Sequence, residues 1–288
     1  MLYLGIDAGA TATKWSIHDG TKTVTSGKSA AMDGHIYRPE SEKRMHEVLA
    51  AIASQCDGAT VNSIYAGFTG LAQSAADRAK IEEIFAEYFP NATCTLVLDI
   101  ELAYRAYFKP GAGILLYAGT GSIAMHINLE GELLRSGGWG YLLGDEGAGY
   151  WIGREAMRHI ALQLELKTRD PFTDLICKKL GISNWGDIRS IVYGAERSSV
   201  AAITKDVASL ALQGDTVAVE ILERASEHLA ELISRSDEII GQTELPITFS
   251  GGIASEIPMI FDRLKDRFGE RITMGDTDIA VAASLLAQ

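Results

Sequence analysis

The sequence predicts an α/β protein built from two similar domains. Strand-like apolar segments alternate with segments whose apolar residues recur at helical spacing. The order strand, small-residue turn, strand, acidic-Gly turn, strand occurs twice, about 111 residues apart, with nine residues from Thr11 to Gly20 and from Ser122 to Gly131. The length of 288 residues also suits two domains.

The first half predicts one complete α/β domain. The apolar segment 2–7 predicts a buried strand, and Asp19-Gly20 predicts a tight hairpin between the two strands that follow. Apolar residues at helical spacing predict two helices, the second of which ends before Pro90. In chain order we expect strands 2–7, 13–18 and 21–27, helix 42–55, strand 61–68, helix 76–89, strand 95–98 and helix 100–108.

The second half repeats the strand pattern and then becomes helical. Ile152, Ala156, Ile160 and Leu164 form an i, i+4 stripe that predicts a helix after a glycine-rich loop. The predicted elements are strands 113–117, 123–128 and 133–135, that helix, helices 172–180, 185–193, 200–213 and 215–240, strand 246–250, a helix around 257–264 and a last helix within 277–286.

The pattern predicts domain boundaries as well. We expect an N-terminal domain over 1–109 and a C-terminal domain with a helical insertion over 110–276. A hinge is expected near 108–112, and the last helix, within about 277–288, is expected to pack back on the N-terminal domain.

Composition restricts the partners. The net charge of −12 and the lack of basic runs argue against nucleic acid, although backbone N–H groups and one Mg²⁺ ion could still hold a nucleotide. No apolar run of about 18 residues predicts a membrane span, and Asp7 comes too early for a secretory signal. Cys56, Cys94 and Cys177 match neither zinc nor disulfide spacing, which favours a cytoplasmic protein.

Four predicted strands end in small-residue turns, at 7–13, 68–70, 118–122 and 250–255. Ligands of α/β proteins gather at the carboxyl ends of strands. The G-T-G-S turn at 119–122 could cradle phosphate oxygens, although a plain hairpin is the more frequent explanation of one such turn. Its counterpart in the first repeat favours a pair of phosphate-binding hairpins. No P-loop is present, and no G-x-G-x-x-G occurs in a dinucleotide-binding context.

The glycine-rich stretch 136–153 is the most distinctive part of the chain. It surrounds Trp139 and the adjacent acids Asp145 and Glu146, which could hold polyol hydroxyls or a hydrated cation. The alternative is a glycine-rich turn that leads into a core helix. We expect Trp151 in the core and Trp139 as a pocket wall.

Two aspartates follow predicted strands. Asp7 would be expensive to bury unpaired, so either Mg²⁺ compensates it or it closes the strand in an Asx turn. Asp99 precedes a helix, where it could be a general base for a sugar hydroxyl or an acid of the first helical turn.

These pieces together resemble the actin/sugar-kinase/heat-shock ATPase superfamily, and more narrowly the N-acetylglucosamine and glucosamine kinases of the BadF/BadG-type ATPases. The resemblance spans the chain and rests on D-A-G-A-T-A-T (7–13), Asp99, A-G-T-G-S (118–122), G-G-W-G-Y-L-L-G-D-E-G-A-G-Y-W-I-G (137–153) and F-S-G-G-I (249–253). It implies two actin-like, ribonuclease H-like domains that flank a nucleotide cleft.

The resemblance also implies residue roles. Asp99 would be the general base and Asp7 would position Mg²⁺. The residues implied to bind ATP are Gly9, Thr11, Gly119, Thr120, Gly121, Ser122, Ala208, Gly251, Gly252 and Ser255. Those implied to hold a sugar are Gly70, Asp99, Gly138, Trp139, Gly140 and Asp145.

The chain departs from the family pattern in three places. Ala10 and Ala12 replace glycines and a Lys or Ser in the first phosphate turn, and Ala280 replaces a glycine of the last helix. Segment 29–37 lacks the family's sugar-binding Asn, for which Asp33 or His35 could substitute.

We therefore expect an ATP-dependent kinase acting on N-acetylglucosamine, glucosamine or a related hexose, and a homodimer on the resemblance alone. One alternative is an ATPase module that energises a partner enzyme, as in dehydratase activators with a cysteine-bound iron–sulfur cluster. The other is a sugar or nucleotide sensor without turnover.

Overall fold

The computed structural model describes residues 1–9, 11–56, 58–71, 74–194 and 196–288. These residues form two compact units. Unit 1 comprises Met1–Phe108 and Thr277–Gln288, and unit 2 comprises Lys109–Asp276. Ala10, part of the small-residue turn discussed above, lies outside the described residues.

Unit 1 is a mixed sheet with helices on both faces. Its elements are β1 (Leu2–Ala8), β2 (Thr13–His18), β3 (Thr23–Ser29), α1 (Pro39–Ser54), β4 (Val61–Phe68), α2 (Ala75–Tyr88), β5 (Thr93–Leu98), α3 (Asp99–Tyr107) and, from the C-terminus, α12 (Ile279–Leu286). The strand order is β3-β2-β1-β4-β5, in which β1 to β3 are antiparallel and β4 and β5 run parallel to β1.

Alternate side chains of β1 face the two opposite layers that cover this sheet. Leu4 and Ile6 point into a core that they share with Met45 and Leu49 of α1 and with Phe85 of α2. Because successive side chains of a strand point to opposite faces, the residues between them face the other layer. That layer consists of α3 and α12.

The second layer approaches the sheet closely because glycines face it. A Cβ atom added to Gly5 of β1 would lie 2.2 Å from the carbonyl oxygen of Ala280 and 2.2 Å from the amide nitrogen of Ser284. A Cβ atom at Gly67 of β4 would lie 2.7 Å from the Leu102 side chain of α3. Helix α12 therefore packs with its backbone against β1, although it follows β1 by almost the whole length of the chain.

Unit 2 repeats the same sheet. Its elements are β6 (Ile114–Ala118), β7 (Ser122–Ile127), β8 (Leu133–Gly137), α4 (Gly149–Leu166), α5 (Pro171–Leu180), α6 (Trp185–Gly194), α7 (Arg197–Ala202), α8 (Thr204–Leu212), α9 (Thr216–Ile240), β9 (Ile247–Ser250), α10 (Gly252–Glu256), α11 (Pro258–Phe268) and β10 (Ile272–Met274).

The strand order of unit 2, β10-β9-β6-β7-β8, has the connectivity of unit 1. Strands β6 to β8 are antiparallel, and β9 and β10 run parallel to β6. The repeat predicted from the sequence is thereby confirmed. Trp151 lies in the core of unit 2, as expected. None of the helices in the described part of the chain has the length and apolar character needed to cross a membrane.

One helix prediction for unit 2 was wrong, and two short elements of unit 2 were not predicted. The expected helix 200–213 is divided into α7 and α8 at Ile203. Long-range contacts accompany the break, since the Val200 carbonyl packs against Gly153 and the Thr204 hydroxyl donates to the Gly149 carbonyl at 2.9 Å. The short helix α10 and the edge strand β10 were not predicted, because segments of five and three residues are too short for a periodic pattern.

We expect Gly5→Ala to destabilise the protein by about 3 kcal/mol or more, because the new methyl group would meet backbone atoms of α12 that cannot rotate away. Urea unfolding followed by circular dichroism measures the change. Gly194→Ala is the matched control, because its Cβ would enter open space at the end of α6. Equal stability of Gly5→Ala and the wild type would contradict the close packing of α12 on β1.

Candidate functional site

In unit 1 the residues predicted to bind a metal ion and phosphate lie next to each other in the sequence, at the hairpin between β1 and β2. Asp7 lies near the end of β1, opposite Lys14 of β2 and beside Gly67 of β4. The Gly9 amide donates to the Ala12 carbonyl at 3.1 Å and closes the turn, and Thr11 is exposed at its tip. Asp7 shares a sheet face with Gly5 and Gly67, so it points toward the α3 and α12 layer.

The carboxylate of Asp7 lies in an acidic environment. Its pKa is raised from 3.8 to about 6, mainly by burial and in addition by the negative charges of Asp99 and Asp278, while Lys14 opposes the rise. Within the described residues no hydrogen bond reaches the Asp7 side chain. Asp278 caps α12 by accepting the amide of Ala280 at 3.0 Å, so the packing of α12 adds a second negative charge to that of Asp99. The alternative of an Asx turn at Asp7 therefore finds no support in these contacts.

Asp99 begins α3 at the carboxyl end of β5. Its Oδ1 accepts the Ile100 amide at 2.8 Å, and its Oδ2 accepts the hydroxyl of Thr69. The backbone at Asp99 approaches β4 because Gly67 has no side chain, with 3.2 Å from an added Cβ to the Asp99 Cα. The carboxylate is therefore oriented by the Thr69 hydroxyl and by the Ile100 amide of its own helix. Both sequence-based readings, first-turn acid and functional carboxylate, are compatible with this geometry.

Thr69 was not among the predicted site residues. Only its place in the small-residue turn after β4 could have indicated it. The neighbouring Gly70, a predicted sugar contact, adopts a left-handed backbone with φ of 68°. Its surface is covered by the ring of His35, since a Cβ added at Gly70 would lie 2.1 Å from the His35 Cε1 atom.

In unit 2 the glycine-rich loop is folded onto the G-T-G-S turn. The Gly138 amide donates to the Ser122 carbonyl at 3.0 Å, and the Ser122 hydroxyl donates to the Glu146 carbonyl at 2.8 Å. The Gly149 amide at the start of α4 donates to the Gly119 carbonyl at 2.8 Å. The residues of this unit that were predicted to bind phosphate therefore lie next to those that were predicted to bind a sugar. Glu146, which had no assigned role, contributes its backbone carbonyl to this arrangement.

Asp145 lies directly against the turn. A Cβ added to Gly121 would be 2.5 Å from the Asp145 Oδ2 atom, so a larger residue there would displace this carboxylate. Burial raises the pKa of Asp145, the backbone amides of Ser122 and Gly140 and the charge of Arg197 lower it, and burial prevails. The residue has a φ of 61°, which is rare outside glycine, so the loop holds this carboxylate at a conformational cost.

Trp139 is exposed rather than enclosed. Its side chain is 63% accessible, and the Arg135 guanidinium stacks 4.8 Å from the ring centroid. The free face of the indole could stack on an apolar sugar face, and its predicted role as a pocket wall stays a prediction. Gly140 belongs to the same loop and accepts the Gly144 amide at 2.9 Å.

The remaining residues predicted to bind the nucleotide lie in two different parts of unit 2. Gly251 and Gly252 follow β9, which runs beside β6, and a Cβ at Gly251 would lie 2.4 Å from the Ala118 carbonyl oxygen. The segment 251–255, which includes the start of α10, is therefore adjacent to the turn 118–122, and the Ser255 hydroxyl donates to the Gly252 carbonyl at 3.3 Å. Ala208 instead packs half-buried against the core of unit 2.

No group of three or more His, Cys, Asp or Glu side chains suited to a metal ion occurs among the residues that the structure describes. A metal ion held by the described residues would therefore have to be bound by a single carboxylate. Asp7 is the one whose burial, raised pKa and lack of hydrogen bonds within the described chain single it out.

Two curated relatives are similar in sequence. The chain is 28% identical over 194 residues to an N-acetylmuramic acid/N-acetylglucosamine kinase of Clostridium acetobutylicum, covering 66% of this chain and 63% of that protein. It is 30% identical over 192 residues to an N-acetyl-D-glucosamine kinase of Dictyostelium discoideum, covering 61% of this chain and 59% of that protein. The matched region spans less than two thirds of the length of either relative.

The fold is shared with a candidate N-acetylglucosamine kinase of Chromobacterium violaceum. The two superpose with a TM-score of 0.78 at 23% identity, over 100% of this chain and 99% of the other. The predicted fold class, an α/β protein of two actin-like domains, is confirmed. The model of the BadF/BadG/BcrA/BcrD ATPase family matches residues 4–287, and the chain belongs to that family.

Proposed function

We propose that the protein is an ATP-dependent kinase that phosphorylates a hydroxyl of N-acetylglucosamine, glucosamine or a related hexose. The observation that carries the proposal is the Asp99 carboxylate, held by Thr69 at the end of the unit 1 sheet and close enough to Asp7 to raise its pKa. Membership of an ATPase family and the kinase activities of both relatives support it.

Asp99 is the proposed general base. The bonds from the Ile100 amide and the Thr69 hydroxyl orient both carboxylate oxygens, each of which keeps a further lone pair for a sugar hydroxyl. The hydroxyl oxygen attacks the γ-phosphorus of ATP, its proton passes to Asp99, and the bond to the ADP oxygen breaks. Positioning and charge neutralisation make the larger contribution to such a transfer.

The turns at 9–12 and 119–122 are the proposed phosphate contacts. Each is a short hairpin with small residues and a threonine at its exposed tip, Thr11 and Thr120. Backbone N–H groups and hydroxyls in such turns can bind phosphate oxygens without a basic side chain, which agrees with an acidic protein. Gly251, Gly252 and Ser255 follow as the proposed adenosine contacts.

Asp7 fits a Mg²⁺ ion. Mg²⁺ keeps several waters and needs only one or two protein carboxylates, and Asp7 is a largely buried carboxylate with a raised pKa. A bound cation would neutralise charge on the transferred phosphoryl group. Asp7 itself would hold the ion, directly or through water, at the end of β1.

The proposed sugar contacts of unit 2 are Asp145, Trp139 and the backbone at Gly138 and Gly140. Asp145 lies against the turn at 119–122, so a carboxylate acceptor for sugar hydroxyls would lie next to the proposed phosphate contacts of that turn. An exposed indole supplies the apolar stacking surface that sugar rings use.

The partner-energising ATPase is less well supported than the kinase. Iron–sulfur clusters need thiolates. Burial raises the pKa of the Cys94 thiol to about 12, and Cys56 and Cys177 are buried in the cores of different units. A rate of ATP hydrolysis that does not change when sugars are added would favour this alternative.

The decisive experiment is an ADP-release screen of the purified chain with Mg-ATP. The acceptors are glucosamine, N-acetylglucosamine, N-acetylmuramic acid, N-acetylmannosamine, glucose and mannose. We expect turnover that depends on at least one of them and a phosphorylated product by mass spectrometry. Background ADP release with every acceptor would contradict the proposed function.

Asp99→Asn should lower kcat about 100-fold or more, because it removes the base while keeping the shape of the side chain. Sugar binding, measured by calorimetry, should change little. Asp77→Asn is the control, since Asp77 is also a first-turn acid of a helix in unit 1. Equal kcat values for Asp99→Asn and the wild type would refute the assignment of the base.

Asp7→Asn should abolish Mg-dependent transfer and yet stabilise the protein in metal-free buffer. Asp7 titrates near pH 6 when folded, against 3.8 ordinarily, so its ionised form is disfavoured by folding. The gain in unfolding free energy should reach up to about 3 kcal/mol above pH 7. It should shrink as the pH falls from 6 to 4, because the carboxyl is then protonated in both states.

Melting temperatures across this pH range measure the effect of Asp7→Asn. Asp19→Asn is the control of opposite sign, because Asp19 accepts three hydrogen bonds in its hairpin and its pKa is lowered. A pH-independent difference between Asp7→Asn and the wild type would show that the charge of Asp7 carries no cost.

A further inference from the structure

Arg197 is the first residue of α7, and its guanidinium lies over the glycine-rich loop of unit 2. The guanidinium carbon is 5.1 Å from the centroid of the Tyr141 ring. Tyr141 packs edge-on against the ring of Tyr150, with 4.9 Å between the two centroids. Because a guanidinium is attracted to the face of an aromatic ring, this stack holds a positive charge over the loop that contains Asp145.

The stack is attached to the turn at 119–122 through the start of α4. The Tyr150 amide donates to the Thr120 carbonyl at 3.1 Å. Helix α7, which carries Arg197, packs on the same part of α4, since a Cβ added at Gly149 would lie 3.4 Å from the Ala201 Cβ. The contacts therefore run from the turn to Arg197 without interruption, and all of them lie within unit 2.

The hydrogen-bond donors of Arg197 are not used by the protein. Within the part of the chain that the structure describes, no hydrogen bond or ion pair reaches its guanidinium, and the residue is exposed. A guanidinium carries its N–H donors in a planar fork that matches the oxygens of a phosphate group. The Tyr141 ring covers one face of this fork, so the N–H groups along its edges stay open to a ligand.

The charges around the turn call for a cation. Asp145 lies against Gly121, and Glu146 is the next residue of the loop. Burial raises the pKa of Asp145, and among its charged neighbours Arg197 lowers the pKa whereas Glu146 raises it. A phosphoryl group at the turn would be repelled by these two carboxylates, and the charge of Arg197 would offset them.

We propose that Arg197 binds the γ-phosphoryl group of ATP, its guanidinium donating a forked pair of hydrogen bonds to the phosphate oxygens at the turn 119–122. The guanidinium stays protonated throughout, and its charge offsets the negative charge on these oxygens during transfer. Tyr141 is a positioning residue that supports the guanidinium. The inference rests on the proposed function, because it concerns the phosphate site of the same kinase. Neither residue is among those that the family resemblance implies to bind ATP.

The test measures how tightly Arg197→Gln and the wild type bind Mg-AMP-PNP, which has a γ-phosphoryl group, and Mg-ADP, which has none. Calorimetry gives both affinities. We expect the ratio of AMP-PNP affinity to ADP affinity to fall about tenfold in Arg197→Gln, because charge-assisted hydrogen bonds to the γ-phosphoryl group are lost. The kcat with a neutral acceptor sugar should fall about 10- to 100-fold, with KM for the sugar unchanged.

Three further variants exclude simpler explanations. Arg189→Gln is the matched control, because Arg189 is also exposed and lies 4.8 Å from the centroid of the Trp185 ring on α6, and it should leave the ratio unchanged. Arg197→Lys keeps the charge without the fork and should give an intermediate ratio. In an Asp145→Asn background, Arg197→Gln should still lower the ratio. If it does not, Arg197 acts only by compensating Asp145, and the proposal is overturned.

The outcomes separate the inference from the proposed function. Sugar phosphorylation by the wild type with equal affinity ratios in Arg197→Gln and the wild type overturns the role of Arg197 and leaves the kinase assignment intact. A loss of kcat confined to N-acetylmuramic acid, with an unchanged ratio, also overturns it and assigns Arg197 to the carboxylate of that acceptor. If the wild type phosphorylates no sugar, the kinase assignment fails, and the affinity ratio alone decides whether Arg197 binds the γ-phosphoryl group. A wild type that binds neither nucleotide overturns both.

Discussion

The packing of α12 on β1 is the contact on which unit 1 depends. Only a glycine at position 5 lets the backbone of the last helix lie against the first strand, since an added Cβ would meet Ala280 and Ser284 at 2.2 Å. This contact closes the unit with residues from both ends of the chain. It also brings Asp278, the cap of α12, near Asp7, two residues further along the same face of β1.

The same packing concentrates negative charge at the end of the sheet. Asp7, Asp99 and Asp278 influence one another, with Lys14 as the one cation that opposes them in the balance at Asp7. An arrangement built for stability alone would not bury a carboxylate without a hydrogen bond from the described chain. The proposed cation would give this cost a physical reason, because an ion held by Asp7 would also neutralise charge on the phosphates.

Much of the fold and of the candidate site could be predicted from the sequence, and the features that could not be predicted have a common cause. The repeated strands, the Asp19-Gly20 hairpin and the helix stripes are local patterns, and the structure confirms them. The division at Ile203, the Thr69–Asp99 hydrogen bond and the contact of His35 with Gly70 depend on residues distant in the chain. Sequence motifs indicated which residues to examine around 118–122 and 137–153, but not that Asp145 rests against Gly121.

The two units share one topology and yet differ in chemistry at equivalent turns. Both units have a small-residue turn with an exposed threonine after their first strand, but unit 1 adds Asp7 and Asp99 at its strand ends, whereas unit 2 adds a loop with Asp145 and an exposed indole. A duplicated sheet supplies strand ends of the same geometry, and the side chains placed there decide what each unit binds. Carboxylates suit a polyol and a cation, while amide-rich turns suit phosphates. Under the proposed function, this chemistry would let an acidic chain bind a neutral or cationic sugar and a polyanionic nucleotide without a basic patch.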